Sequence, residues 1–223
     1  MTADCPQLSL FYRFRRARQA AQTGRSPLLI LLHGYGSNED DLMSLAAYLD
    51  PRFNLLSARA PQALGMQAYA WFPIAWNAEG LFVEPAEVLA AIPPAASFVA
   101  QATAACGADP EQTMLLGFSQ GATMSAGILL HRPDLAAGAV LMSGFTPGEL
   151  ARPDLQLTGK RLLITHGLLD DVVPVEWGRT TRDLFESLGA AVTYREYSMG
   201  HQISDVSLED ADRWLSEWAD LLS

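Results

Sequence analysis

Residues 113–131, TMLLGFSQGATMSAGILLH, form the stretch that decides the fold. The apolar run 113–118 predicts a buried strand, and the segment 120–131 predicts a helix. Ser119 lies between them in the pattern Gly-x-Ser-x-Gly, whose glycines allow the tight strand-to-helix turn that exposes a nucleophilic serine. The alternative is a polar residue in an ordinary glycine-rich bend. A serine needs a base, a group that orients the base and donors for an oxyanion, so the rest of the chain decides between the two interpretations.

Apolar runs alternate with helical segments along the rest of the chain. This alternation predicts an α/β fold with a mostly parallel central sheet and helices on both faces, and the length suits one domain over 1–223. Strands are predicted over 8–14, 27–33, 53–59, 113–118, 138–144, 161–167 and 192–197. Helices are predicted over 39–49, 94–106, 120–131, 175–188 and 207–222. The second of these helices is predicted to begin at Pro93-Pro94 and the last at Ser207, in a capping box.

The stretch 60–92 has weak periodicity and many aromatic residues. A long segment of this kind in a compact domain is more often functional than idle, so it is predicted to be a lid or a pocket-lining insertion. A surface flap whose aromatic residues pack on the core is an equal alternative. The candidate substrate-binding residues are Leu64, Met66, Trp71, Phe72 and Trp76.

The partners of a nucleophilic serine are predicted after two later strands, because sites in open α/β sheets form at the carboxyl ends of strands. The segment 162–174, LLITHGLLDDVVP, offers Asp170 and Asp171, either of which could orient a base. The segment 193–201, TYREYSMGH, ends in His201, for which a catalytic base is favoured over a loop histidine. The order serine, acid, histidine is that of α/β-hydrolases.

The loop 31–42, LLHGYGSNEDDL, is predicted to complete an oxyanion hole. In this fold one donor is the N–H after the nucleophile and the other comes from a loop after an earlier strand. This rule predicts backbone N–H donors at Gln120 and Tyr35, with Gly34 permitting a close approach. The run Asn-Glu-Asp-Asp at 38–41 fits a helix N-terminus, where acids are stabilising, and no metal site is predicted there.

The other histidines have structural interpretations. His33 is predicted to shape the oxyanion loop, His166 to pack behind the acid loop and His131 to cap a helix end. Ser143 and Phe145 follow another strand and either line the site or only pack.

The composition excludes several classes of function. The net charge is −10 and no basic stripe occurs, so no nucleic-acid partner is predicted. Cys5 and Cys106 do not define a disulfide scaffold, and a reduced, cytoplasmic compartment is expected. The N-terminus shows no signal peptide. No apolar stretch is expected to approach the roughly 20 residues of a membrane span, so no stable membrane association is predicted.

Several motifs together carry a family likeness: LLHGYGSNEDDL, AWFP, GFSQGA, MSGF, HGLLDDVVP and SMGH. From about residue 27 to 222 the chain resembles the phospholipase/carboxylesterase family, which includes bacterial carboxylesterases and acyl-protein thioesterases. The resemblance implies an α/β-hydrolase fold with a minimal cap, no cofactor, no metal and, by analogy, a homodimer. In the family pattern His-Gly-x-x-Asp-x-x-Val-Pro the acid maps to Asp170, with Ser119 as the nucleophile and His201 as the base.

The chain departs from the family around the presumed substrate pocket. Trp71-Phe72-Pro73 stands where Trp-Phe-Asp is common, Gly121-Ala122 replaces a double glycine, and 74–84 is unlike the thioesterases. The expected function is a serine carboxylesterase acting on small or acyl-chain esters through an acyl-enzyme on Ser119. The alternatives are an acyl-protein thioesterase or lysophospholipase-type hydrolase and, more remotely, a non-catalytic ligand-binding protein on the same scaffold. Dienelactone hydrolases share the fold but normally use a cysteine nucleophile, which Ser119 argues against.

Overall fold

The structure, a computed structural model, describes residues 7–19, 25–78, 80–152 and 154–222, so Cys5 lies outside the described residues. The strands are β1 (Tyr12–Arg15), β2 (Leu28–Leu32), β3 (Asn54–Ala58), β4 (Gln62–Gly65), β5 (Ala68–Ala70), β6 (Ala75–Asn77), β7 (Gly80–Phe82), β8 (Thr113–Phe118), β9 (Gly138–Met142), β10 (Arg161–Gly167) and β11 (Ala191–Tyr197). The α-helices are α1 (Pro85–Ala105), α2 (Gln120–His131), α3 (Val175–Ser187) and α4 (Asp205–Asp220). Short 3-10 helices cover Leu42–Ala47, Pro110–Gln112, Pro133–Leu135 and Gly148–Leu150.

Seven strands form the central sheet, in the order β1-β3-β2-β8-β9-β10-β11. Strand β1 pairs antiparallel with β3, and the remaining neighbours are parallel. Strand β2 is buried along its whole length, as expected for a central strand of a parallel sheet covered on both faces. Helices lie on both faces, so the predicted α/β-hydrolase fold is confirmed.

Each face of the sheet has its own hydrophobic cluster. Successive residues of β2 point to opposite faces. Leu28 and Ile30 pack with residues of α1 and α2, whereas Leu29 and Leu31 pack with the 3-10 helix Leu42–Ala47 and with α4. The parallel register aligns the carboxyl ends of β2, β8, β10 and β11 at one edge of the sheet. The loops that follow these strands therefore meet at that edge.

Helix α1 begins earlier than the sequence predicts. The helix starts at Pro85, and Pro93 and Pro94 lie inside it and not at its first turn. Both prolines are exposed, so the carbonyl groups that lose their hydrogen-bond donors can be hydrated. Val88 and Ile92 are buried in the core and hold the turn before the prolines against the sheet.

Helix α1 also overturns one expectation about apolar segments. With its full length of 21 residues, it is long and apolar enough by composition to cross a membrane. The expectation that no stretch approaches this length is therefore wrong, because the sequence-based start at residue 94 made the helix too short. Val88, Phe98 and Val99 are fully buried in the domain core, which accounts for the apolar composition without a membrane.

The stretch 60–92 folds into two β-hairpins and the first turns of α1. Strands β4 and β5 form one two-stranded sheet, and β6 and β7 form another. Trp71 and Phe72, between the hairpins, are buried. Strands of three or four residues show too little periodicity to be found in the sequence. That the stretch moves as a lid stays a prediction.

Helix α4 also begins before its predicted start. Ser204 is the N-cap, and its hydroxyl accepts a hydrogen bond from the N–H of Ser207 at 3.2 Å. The Ser207 hydroxyl accepts one in return from the N–H of Ser204 at 2.9 Å. Ser207 is thus the second member of the capping box and not its first.

Candidate active site

Ser119 occupies the sharp turn between β8 and α2. Its backbone has φ 54° and ψ −118°, a combination that costs energy in a residue with a side chain. Its N–H donates to the carbonyl of Met142 at 2.9 Å, which ties the turn to the end of β9. A Cβ at Gly121 would lie 1.8 Å from the carbonyl oxygen of Leu32, and one at Gly117 would lie 2.1 Å from that of Gly121. Both glycines of the motif are therefore required for the close approach of α2 to the sheet.

A continuous hydrogen-bond chain joins Ser119, His201 and Asp170. The Nε2 atom of His201 lies 2.9 Å from the Ser119 Oγ, and its Nδ1 atom lies 2.8 Å from the Asp170 Oδ2. Asp170 follows β10 and His201 follows β11, and the parallel pairing of these strands brings their loops together. The ring of Phe118 packs on the imidazole with 5.0 Å between centroids. In this geometry the imidazole can accept the hydroxyl proton while the carboxylate fixes its orientation.

The surroundings of Asp170 keep its carboxyl group ionised. Burial alone would raise the pKa of Asp170, but the hydrogen bonds from His201 and from the Val173 and Val172 N–H groups outweigh burial and lower the pKa. The two N–H groups donate to Oδ1 at 2.8 and 3.0 Å, which leaves Oδ2 for His201. Asp171 is exposed. Of the two carboxylates that the sequence offers, Asp170 is thus the one that contacts the imidazole.

The two predicted oxyanion donors lie on either side of the serine. Gln120 is the first residue of α2, where an N–H has no intrahelical acceptor. Gly34 lies against the nucleophile, because a Cβ there would be 3.5 Å from the Cβ of Ser119. Tyr35, the next residue, lines the same cavity as Ser119. The positive end of the α2 dipole would add to the stabilisation of an oxyanion in this cavity.

His33 lies fully buried behind the loop that carries Tyr35. The N–H of Ala60 donates to its Nε2 at 3.1 Å, so the ring proton is on Nδ1, which donates to the carbonyl of Gly34 at 2.7 Å. Burial lowers the pKa of His33. The ring is therefore a neutral hydrogen-bonding group that holds the loop, and it does not contact Ser119.

His166 is buried beneath the loop that carries Asp170. Its Nε2–H donates to the carbonyl of Val173 at 2.8 Å and lies 3.6 Å from the Asp170 Oδ2. The Nδ1 atom faces Gly178 of α3, where an added Cβ would be 2.5 Å away, and has no hydrogen-bond partner among the described residues. Burial lowers the pKa of His166, so the ring is neutral. His131 is the exposed last residue of α2.

Ser119 and His201 open into a cavity of about 210 Å³. Two of the predicted substrate-binding residues, Phe72 and Trp76, line this cavity, and so does Phe145. The other lining residues are Gly34, Tyr35, Ile74, Leu81, Val83, Phe118, Gln120, Val172 and Val173. Ile74, Leu81 and Val83 were missed because they lie on hairpins with no sequence signal of their own.

Three predicted substrate-binding residues lie elsewhere, which corrects the sequence-based set. Leu64 and Met66 are exposed on the β4–β5 hairpin. Trp71 lines a separate cavity of about 260 Å³ against α1, whereas the next residue, Phe72, borders the triad cavity. Ser143 is buried beside the nucleophile turn with a positive φ of 50° and does not line the cavity.

A larger apolar groove of about 530 Å³ continues from the triad cavity. The two share Leu81, Val83 and Phe145. Trp177 of α3 packs edge-on against Phe145, with 5.1 Å between the ring centroids. Among the described residues that line this groove, Glu149 alone is charged. The groove therefore suits an uncharged, apolar group extending away from Ser119.

Comparison with known proteins shows what the chain is similar to. A model of the phospholipase/carboxylesterase family matches residues 17–219. The chain is 27% identical over 222 residues to acyl-protein thioesterase 1 of Kluyveromyces lactis, covering 91% of this chain and 96% of that protein. It is 28% identical over 210 residues to a probable inactive carboxylesterase of Oryza sativa subsp. japonica, covering 86% of this chain and 85% of that protein.

Among solved structures, the chain resembles the Bacillus cereus carboxylesterase with a TM-score of 0.79 and 27% sequence identity. The match covers 94% of this chain and 95% of that one. The fold of most of the chain thus has a counterpart in a solved carboxylesterase.

Proposed function

Because the chain belongs to the phospholipase/carboxylesterase family of hydrolases, we propose that it is a serine carboxylesterase that cleaves carboxylic esters through an acyl-enzyme on Ser119. The observation that carries this proposal is the unbroken chain of hydrogen bonds from the Ser119 Oγ through His201 to Asp170. One relative is named a probable inactive carboxylesterase, so family membership alone does not establish turnover. The complete chain of nucleophile, base and acid supports it here.

In the proposed reaction Ser119 attacks the ester carbonyl. Its proton passes to the Nε2 atom of His201 while a C–O bond forms, and Asp170 stabilises the resulting imidazolium. The tetrahedral intermediate collapses, the ester C–O bond breaks and His201 returns the proton to the leaving alcohol. Water then attacks the acyl carbonyl while His201 takes one of its protons. The bond between the acyl carbon and the Ser119 Oγ breaks, His201 returns the proton to that Oγ, and the acid is released. Atoms and protons balance without a cofactor.

The negative oxygen of the intermediate would be bound by the backbone N–H groups of Gln120 and Tyr35. Losing one such donor typically lowers the rate by about a hundredfold or more. The backbone supplies both donors, so no side-chain substitution removes either of them directly. The close contact of Gly34 with Ser119 supports this placement.

The cavities indicate the class of ester. The triad cavity holds a small group, and its continuation into the apolar groove suits an uncharged acyl or alkyl arm. A negative charge at the far end of that arm would be repelled by Glu149. We therefore expect uncharged, apolar esters to be better substrates than esters of dicarboxylic acids.

A thioesterase acting on acylated proteins is the second candidate. The same triad would cleave a thioester, and acyl-protein thioesterase 1 of Kluyveromyces lactis is a relative. The observation that favours it is the open mouth of the triad cavity, where Trp76 is 60% exposed and Tyr35 43% exposed. Exposed aromatic residues at a site entrance suit contact with a larger partner.

Hydrolysis of nitrophenyl esters of increasing acyl length, beside one acyl-thioester, tests both candidates. Ser119→Ala should lower kcat by at least about 10⁴-fold, because triad residues act as a unit. Ser44→Ala, at an exposed position, is the matched control and should leave turnover unchanged. A fluorophosphonate should label the native protein and not the Ser119→Ala variant. Equal turnover in the native and Ser119→Ala proteins would refute the proposal.

A further inference from the structure

The side chain of Gln120 is buried and fully engaged, although only its backbone is needed for an oxyanion hole. Its Oε1 atom accepts the N–H of Trp71 at 3.0 Å, and its Nε2 atom donates to the carbonyl of Phe72 at 2.8 Å. The amide therefore binds the backbone on either side of the Trp71–Phe72 peptide bond, in the segment that joins the two hairpins. Gln120 itself is 5% exposed.

A second contact fixes the same segment to the loop of the other oxyanion donor. The indole N–H of Trp71 donates to the carbonyl of His33 at 2.9 Å. His33 is in turn held by the N–H of Ala60 and by its own bond to the carbonyl of Gly34. The loop that carries Tyr35 is thus tied to the Trp71–Phe72 segment through His33. Gln120, which follows Ser119, is tied to the same segment.

Phe72 gives this arrangement a functional consequence. Phe72 is fully buried in the wall of the cavity that contains Ser119, and its carbonyl is held by Gln120. Gln120 therefore contributes the expected oxyanion N–H and also sets the position of a wall of the substrate cavity. A segment held by three buried hydrogen bonds is unsuited to opening as a lid, so any lid motion of 60–92 would be confined to the hairpins on either side of it.

We propose that the side-chain amide of Gln120 is a positioning residue that couples the oxyanion hole to the Phe72 wall, and that it thereby determines acyl-chain selectivity. The inference rests on the proposed function. Gln120 differs from an ordinary polar residue at a helix start, because both partners of its side chain are backbone groups of the cavity wall. An apolar replacement would leave the Trp71 N–H and the Phe72 carbonyl buried without their partner, so the segment would have to shift or admit water.

The test is a double-mutant cycle at Gln120 and Phe72. The measured quantity is the acyl-chain ratio, which is kcat/KM for nitrophenyl hexanoate divided by kcat/KM for nitrophenyl acetate. Gln120→Met keeps the backbone N–H and removes both side-chain bonds, and it should lower this ratio by about fivefold or more, since the longer acyl chain loses the Phe72 wall. In a Phe72→Leu background the same substitution should have a clearly smaller effect, because contacting residues are not additive. Gln156→Met, at an exposed position, is the matched control.

Amide hydrogen exchange provides a readout that does not depend on turnover. Loss of the Gln120 acceptor should speed exchange at Trp71 by about tenfold or more, while α4 stays protected. Were Gln120→Met not to fold, Gln120→Glu would replace it in the kinetic cycle alone. This variant keeps an acceptor for Trp71, so exchange there should not change, but it puts a carboxylate oxygen against the Phe72 carbonyl, and an unchanged acyl-chain ratio would overturn the inference. An unchanged acyl-chain ratio with unchanged exchange, or strictly additive effects in the cycle, would overturn the inference. Absence of ester turnover in the native protein would instead refute the proposed function. The exchange experiment would still test whether the Gln120 side chain holds the Trp71–Phe72 segment.

Discussion

Two buried histidines should make this protein lose stability as the pH falls below neutrality. His33 and His166 are both fully buried, and burial lowers the pKa of each. For His166 the carboxylate of Asp170, 3.6 Å away, acts in the opposite direction but has a smaller effect than burial. Because the folded pKa lies below the unfolded pKa, the unfolded chain binds more protons below about pH 6.5, and folding becomes less favourable as the pH decreases.

The size of the effect follows from linkage. A histidine that titrates at about pH 6.5 when unfolded and at a lower pH when folded lowers the free energy of unfolding by up to about 1–2 kcal/mol between about pH 7.5 and about pH 5.5. His33 and His166 together should therefore account for a loss of up to about 3 kcal/mol over that range. This stability is fully present above the unfolded pKa and is lost as the pH falls from there towards the folded pKa.

The measurement is urea unfolding at several pH values across that range, followed by circular dichroism. In the native protein the free energy of unfolding should fall with decreasing pH, and in His166→Gln the fall should be smaller, by up to about 1–2 kcal/mol. Glutamine is chosen because its amide can still donate to the Val173 carbonyl. The comparison uses the change with pH and not the absolute stability, so a uniform cost of the substitution cancels.

His131→Gln, at the exposed end of α2, serves as the control for replacing any histidine. If His166→Gln showed the same pH dependence as the native protein, His166 would take up its proton equally in the folded and unfolded states. The assignment of a neutral, buried ring would then be refuted.

Two further changes test the geometry of the site. Asp170→Asn should lower kcat by about 10³–10⁴-fold with little loss of stability, because the amide cannot hold His201 in the tautomer that accepts the serine proton. Steady-state kinetics measure the loss of kcat, and a thermal melt measures the stability. A loss of kcat below tenfold would contradict the role of the carboxylate. Gly121→Ala should destabilise the protein by more than about 3 kcal/mol or prevent folding, because its Cβ would lie 1.8 Å from the Leu32 carbonyl oxygen. Gly148→Ala is the matched control, since a Cβ there meets nothing within 4 Å, and a thermal melt that does not separate the two alanine variants would contradict the close approach of α2 to β2.

The sequence was sufficient for the sheet and for the three residues at its carboxyl edge. Runs such as Leu28–Leu32 are continuous and apolar, so their limits are local properties of the chain. In a parallel sheet the loops after neighbouring strands must meet at one edge. Ser119, Asp170 and His201 could thus be placed near one another before any distance was known, although choosing Asp170 over Asp171 required the family pattern.

Helix α1 shows where local rules fail. Two consecutive prolines are a strong sign of a helix start when the sequence alone is considered. The burial of Val88 and Ile92 against the sheet outweighs that preference, and the exposed position of the prolines limits its cost. A contact that forms only in the folded protein therefore decides where this helix begins, and no window of sequence contains it.

The cavity wall illustrates the same limit at the site itself. Trp71 and Phe72 border different cavities, and which of the two borders the triad cavity depends on the path of a short bend between the hairpins. That path is held by Gln120, which is 49 residues away from Trp71 in the chain. The residue was singled out in the sequence for its N–H, a backbone property that any amino acid except proline supplies. Its side chain explains why a glutamine suits this position, because only a group that both donates and accepts can hold the Trp71 N–H and the Phe72 carbonyl together and so fix which aromatic ring an acyl chain meets.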